Sequence, residues 1–143
     1  MGNRTLRIAR GVAGAGLLTA AALHLSWAAG SHWPAKSKEE LSDVVTGSPE
    51  LPKPAACAVV GVGLGGVSAV VLSRSRHPLL RVARAGVALG FLARAAAGGT
   101  LTTRVLGLPV PSARFLEWEA KLYRPFCVAV AVPLVIDECR RRY

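Results

Sequence analysis

Residues 11–31, GVAGAGLLTAAALHLSWAAGS, and residues 54–73, PAACAVVGVGLGGVSAVVLS, contain no charged side chain. Each approaches the roughly 20 apolar residues that cross a bilayer core. The carboxylates frame them. They are Glu39, Glu40, Asp43, Glu50, Glu117, Glu119, Asp137 and Glu138, so none precedes Glu39 and none falls between Leu51 and Leu116. Both runs read as transmembrane helices.

Two further spans carry charge. Leu79 to Ala97 is apolar except for Arg81, Arg84 and Arg94. Arg81 and Arg84 lie near its start, where long stems can snorkel to the headgroups. Tyr123 to Ile136 is short and contains Pro125 and Pro133. It reaches full length only if the helix begins near Ser112, just after Pro109 and Pro111, which punctuate a helix start. Between the first two spans, Ser37 and Glu40 fit a capping box, and Leu41, Val44 and Val45 give a short amphipathic pattern ended by Gly47, Ser48 and Pro49. A small helix on the outer membrane surface and an ordered loop both fit that segment. The expected architecture is all-α: one polytopic membrane domain over residues 1–143. Its helices run over about 8–29, 54–73, 79–97 and 112–136 in a small bundle, with a short outer helix over about 38–46.

The chain has 143 residues, a formal charge of +10, 52% hydrophobic residues and a mean hydropathy of +0.40. That apolar content excludes disorder. The basic charge has an explanation without nucleic acid. Arg4, Arg7 and Arg10 lie before the first span, Arg74, Arg76, Arg81 and Arg84 crowd the second turn, and Arg140, Arg141 and Arg142 close the chain. The other side carries Lys36, Lys38, Lys53, Arg94, Arg104, Arg114, Lys121 and Arg124, less densely. Positive-inside then puts both termini in the cytoplasm. Trp27, Trp33, Trp118 and Tyr123 fall at the outer boundary, where such rings anchor helices. The first span also resembles a signal peptide, with small residues at Ala28 to Gly30, but it is long enough to span and more spans follow.

Gly61, Gly63 and Gly66 match a dinucleotide fingerprint, yet no acidic residue follows about twenty positions later. Gly61 with Gly65 and Gly86 with Gly90 fit GxxxG helix packing instead. Of three cysteines, Cys57 and Cys127 lie at similar outer depth and Cys139 at the cytoplasmic end. The first two are either small buried residues or an outward thiol pair. Matching depth does not by itself supply disulfide geometry. His24 lies inside the first span with Trp27 one turn on, and reads as a packing or hydrogen-bonding histidine rather than a haem ligand. No metal set and no cofactor are indicated.

From Ser112 onward, Arg114, Glu117, Lys121 and Arg124 form one polar stripe, with Glu117 and Lys121 spaced for an i,i+4 pair. Phe115, Trp118, Leu122 and Phe126 form the apolar stripe, and Glu119 falls on that side. A carboxylate there needs a partner. Arg94 is nearest in depth, and Arg104 is the alternative. His24, Trp27, Arg94, Glu119 and Tyr123 thus become the candidate functional cluster, with Cys57 and Cys127 as the candidate thiol pair.

Three stretches together are similar to a known pattern: LHLSWAAGSHWP over residues 23–34, Arg94, and FLEWEAKLYRPFC over residues 115–127. They resemble a bacterial family of small four-helix integral membrane proteins, catalogued as domain of unknown function 3995. The family pattern has Asp where this chain has Glu119, and a small residue where it has Arg124. The resemblance implies the four-helix architecture and the polar cluster, and no activity.

The functional expectation is a multi-pass protein of the bacterial inner membrane that is not an enzyme. Its outer-leaflet polar pocket would take a lipid or a small apolar molecule. The lipid bilayer is its surrounding partner, nucleic acid is not one, and homo-oligomerisation is left open. The alternatives are a membrane thiol or quinone redox enzyme and a small proton-coupled transporter.

Overall fold

The computed structural model describes residues 2–50 and 52–142. The side chains of Arg141 and Arg142, read above as cytoplasmic charges, lie outside the described residues, as do Met1, Leu51 and Tyr143. Among the described residues the chain is all-α. Helix α1 spans Asn3–Ala28, α2 Lys38–Thr46, α3 Pro54–Leu72 and α4 Pro78–Val105. A short α5, Ala113–Trp118, runs through a π-helical turn, Glu119–Tyr123, into α6, Arg124–Arg142. Arg4, Arg7 and Arg10 therefore belong to α1 itself, which begins five residues before the expected start at residue 8.

Local chemistry sets the boundaries. Pro54 and Pro78 occupy first helical positions, where a missing N–H costs no hydrogen bond. The Ser37 hydroxyl caps α2 by accepting from Glu40 N at 3.1 Å. Gly47 ends α2 with φ 71°, and a Cβ there would sit 2.8 Å from the Pro111 Cβ. Both the backbone angle and the space thus require glycine. Ser112 caps α5 by accepting from Phe115 N at 3.1 Å. Helix α4 is broken at Gly98, with φ 67° and ψ 179°, directly after the expected end of the third span at Ala97.

The helices pack chiefly as two pairs, α1 on α3 and α4 on α6, joined along α1–α6 and α3–α4. Leu17, Val71, Val130 and Leu134 are fully buried where these helices meet, with Phe91 and Phe126 packed against them. The α1–α3 contact is close. Ser68 donates to the Gly14 carbonyl at 2.9 Å, and a Cβ on Gly61 would lie 2.8 Å from Leu25 Cγ. The other GxxxG glycines, Gly65, Gly86 and Gly90, face open space. The expected packing role therefore holds at Gly61 alone within the chain.

Helices α1 and α3 are long and apolar enough to cross a membrane. Helices α4 and α6 do not reach that measure, because both carry charge inside their length. Large apolar side chains face outward on all four of these helices, among them Val12, Val59, Val62, Val82, Leu89 and Val128. Where such side chains join into large patches, the surface is made for something other than water.

Candidate functional site

The expected cluster separates into two places. One lies where α4 meets the π turn. Arg94 binds Glu119 through two parallel hydrogen bonds, Nη1 to Oε1 and Nη2 to Oε2, both 2.6 Å. This is the bidentate fork that guanidinium makes with carboxylate. Glu119 is 3% exposed, so Arg94 supplies its charge partner; the alternative, Arg104, is exposed and makes no salt bridge among the described residues.

The π turn explains the placement. Arg124 N–H donates to the Glu119 carbonyl, an i→i−5 bond. Pro125 follows with no N–H to give. The opposing helix comes close because Gly99 has no side chain: a Cβ there would lie 2.5 Å from the Phe115 ring. Arg124 then reaches across, its Nε donating to Ala95 O at 2.8 Å, one turn before the Gly98 break. Arg94 and Ala95 of α4 are thus held by Glu119 and Arg124 of the π turn and its end. Cys127, buried, lies near the same pair.

Tyr123 connects this place to α2. Its hydroxyl donates to Val44 O at 2.8 Å, and its ring lies 5.9 Å from that of Phe115. Helix α2 is docked on α5 by two further contacts. Ser112 N donates to Gly47 O at 3.1 Å, and Arg114 pairs with Glu40 at 2.6 Å. The Glu40 carboxyl is held below its usual range by the Lys36 N–H it accepts and by Arg114. A carboxyl with a depressed folded-state pKa stabilises fully above the unfolded value and loses that contribution as pH falls through the folded one. Glu40→Gln should therefore lower Tm at neutral pH, and the deficit should vanish on acidification below the carboxylate range. A deficit that persists at low pH would remove the charge from the explanation. The exposed Glu117–Lys121 pair forms as its spacing predicted.

The second place is a cavity of about 490 Å3 between α1, α2 and the start of α3. Leu41, Val45, Cys57 and Val60 give it apolar walls, and His24 and Trp27 line it from α1. The two rings meet at a tilt of 53°, with centroids 4.7 Å apart. His24 Nδ1 lies 2.8 Å from Ala20 O. A carbonyl can only accept, so Nδ1 carries the proton and Nε2 is left as an acceptor. Trp27 donates to Trp33 O at 2.7 Å, which folds the 30–36 connection over this end.

His24, Trp27 and Cys57 therefore share the cavity, while Arg94, Glu119, Tyr123 and Cys127 share the other place. The thiol pair does not form. Cys57 and Cys127 are both free, and they stand on helices of different pairs, which share no large contact.

A third polar layer was not expected. Arg10 donates to Asp137 at 2.8 Å and to the carbonyls of Val71 and Ser73. Arg84 pairs with Glu138 at 3.1 Å and donates to Ser75 O at 3.1 Å. Its side chain is fully buried, and its Nη1 has no hydrogen-bond partner among the described residues. The expectation that Arg84 snorkels outward is overturned, because Glu138 of α6 draws it inward. Arg81, the more exposed of the two, also reaches Glu138, at 3.4 Å.

The chain belongs to the family described as protein of unknown function, DUF3995, which matches residues 17–134. No curated protein and no solved structure matches it. The matched range contains both places and stops short of Asp137 and Glu138.

Proposed function

We propose that this chain is a four-span, multi-pass protein of the bacterial inner membrane with both termini cytoplasmic. In this reading it is not an enzyme, and it binds a lipid or a small apolar molecule in the cavity between α1, α2 and α3. The four-span reading draws on how charge is handled in α4 and α6. Arg84 pairs with Glu138 and Arg94 with Glu119, so each pair joins those two helices. Charges inside a bilayer are tolerated when paired and turned toward neighbouring helices. Arg84 and Arg94 are ten positions apart, or about 15 Å along the helix, and the residues between them are uncharged.

The cavity carries the functional reading. At about 490 Å3 it falls within the roughly 300–1,000 Å3 of small-molecule sites, with apolar walls and few polar groups. His24 Nε2, which makes no hydrogen bond among the described residues, supplies one orienting acceptor when the ring is neutral. The thiol or quinone alternative has less behind it, since Cys57 lines this cavity and Cys127 lies with Arg94 and Glu119.

Filling the space tests the reading. Ala56 lines the cavity and is exposed, so Ala56→Trp adds bulk without entering the core. Purified full-length protein should carry a lipid or apolar molecule enriched over the surrounding membrane. In Ala56→Trp that enrichment should fall about tenfold, equivalent to about 1.4 kcal/mol. An identical profile in both proteins, read by mass spectrometry, would count against the cavity.

A further inference from the structure

We propose that the occupant of this cavity is an amphiphile with an anionic head group, a carboxylate or a phosphate, seated between Lys38 and Lys53 with its chain against the apolar walls. The inference rests on the cavity reading above and adds the chemistry of the ligand.

The charge around the mouth is one-sided. Among the described residues, Lys38 and Lys53 are the only charged ones that line the cavity. Both are exposed, and neither forms a salt bridge among the described residues. The carboxylates in the neighbouring sequence are absent from its walls. Glu40 is taken by Arg114 and Lys36 N, and Glu39 is hydrogen-bonded to Ser37. Asp43 and Glu50 do not line the space either. Two positive charges therefore stand at the rim outside any salt bridge among the described residues, and Glu39, whose charge interacts with Lys38, lies outside the lining.

Below the rim the character changes. Leu41 and Val45 from α2 face Cys57 and Val60 from α3, and Trp27 closes the side. A polar cationic rim above an apolar interior matches a molecule with one charged end. It matches a neutral apolar ligand less well, because such a ligand makes no use of the lysines. A free inorganic anion in turn leaves the apolar interior unfilled. Near a membrane surface each lysine contributes attraction to anionic lipid that falls off within a Debye length.

Trp27 provides the readout. In full-length protein carrying Trp33→Phe and Trp118→Phe, Trp27 is the remaining tryptophan. It keeps its bond to the residue 33 carbonyl, which is backbone. The protein is placed in nanodiscs of neutral lipid and titrated with a brominated long-chain carboxylate, the chain-matched brominated alcohol, or inorganic phosphate. The carboxylate should quench Trp27 saturably and about tenfold more tightly than the alcohol. Lys38→Glu with Lys53→Glu should erase that preference while leaving the alcohol unchanged, and added salt should narrow it. Equal affinity for carboxylate and alcohol would overturn the anionic head group and leave the cavity reading standing. Saturable quenching by neither would sink the cavity reading itself, and this inference with it. Displacement of the carboxylate by inorganic phosphate at matched concentration would overturn the amphiphile in favour of a free-anion site.

Discussion

Arg94→Ala should destabilise the protein by roughly 3–5 kcal/mol, the usual cost of removing one partner from a buried ion pair. The cost comes from what remains. Glu119 is 3% exposed, and both of its oxygens are committed to Arg94 at 2.6 Å. No other side chain hydrogen-bonds its carboxylate among the described residues. Glu119→Ala should cost less, because the Arg94 side chain it strands is 29% exposed and can turn away. Replacing the pair together, Arg94→Met with Glu119→Leu, should recover most of the loss, since well-packed apolar substitutes for buried pairs are often neutral. Unfolding in mixed detergent micelles measures all three. If Arg94→Ala and Glu119→Ala cost the same, the stranded carboxylate is not the source of the penalty. The charge swap, Arg94→Glu with Glu119→Arg, separates structure from chemistry. A swap that restores both stability and the cavity's ligand makes the pair a brace. Restored stability without ligand ties the pair to binding.

Much of this arrangement was legible in the residues. The uncharged runs marked α1 and α3, and the punctuation at Pro109 and Pro111 placed a helix start near its observed position at Ala113. The short α2 could be read from Ser37, Glu40 and Gly47, since each serves a local hydrogen-bonding need at a helix end. Glu119 was readable too, because an even helical period up to that residue puts it opposite the solvated stripe. Arg124 was not. The stripe Arg114, Glu117, Lys121, Arg124 assumes 3.6 residues per turn throughout, and the π turn over Glu119–Tyr123 inserts an extra residue. One residue of rotation is about 100°, which moves Arg124 from the expected stripe to the Ala95 carbonyl. Depth alone also merged two places into one. His24 and Arg94 were matched by distance along their helices, but rise along a helix says nothing of direction around the assembly. Only the pairing of α1 with α3 and α4 with α6 separates them.

The same blindness hid the layer at the other end, where the expected asymmetry is large. Glu138→Leu should cost roughly 3–5 kcal/mol, while Arg84→Met should cost distinctly less. In the first variant Arg84 is left fully buried; among the described residues Ser75 O is its remaining partner and its Nη1 already has none. A buried donor without a partner carries its whole desolvation penalty. In the second variant the orphaned nitrogen disappears with the charge. Glu138 keeps Arg81 at 3.4 Å, and its side chain is 13% exposed. Methionine also fills much of the volume that the arginine stem occupied. Detergent unfolding of the two single variants beside the wild type decides the order. Equal losses would mean that Glu138 depends on Arg84 as much as Arg84 depends on it, and the uncompensated cation would cease to be the dominant cost. Arg81→Met in the Arg84→Met background then removes the reserve partner, and the penalty avoided by Arg84→Met alone should appear.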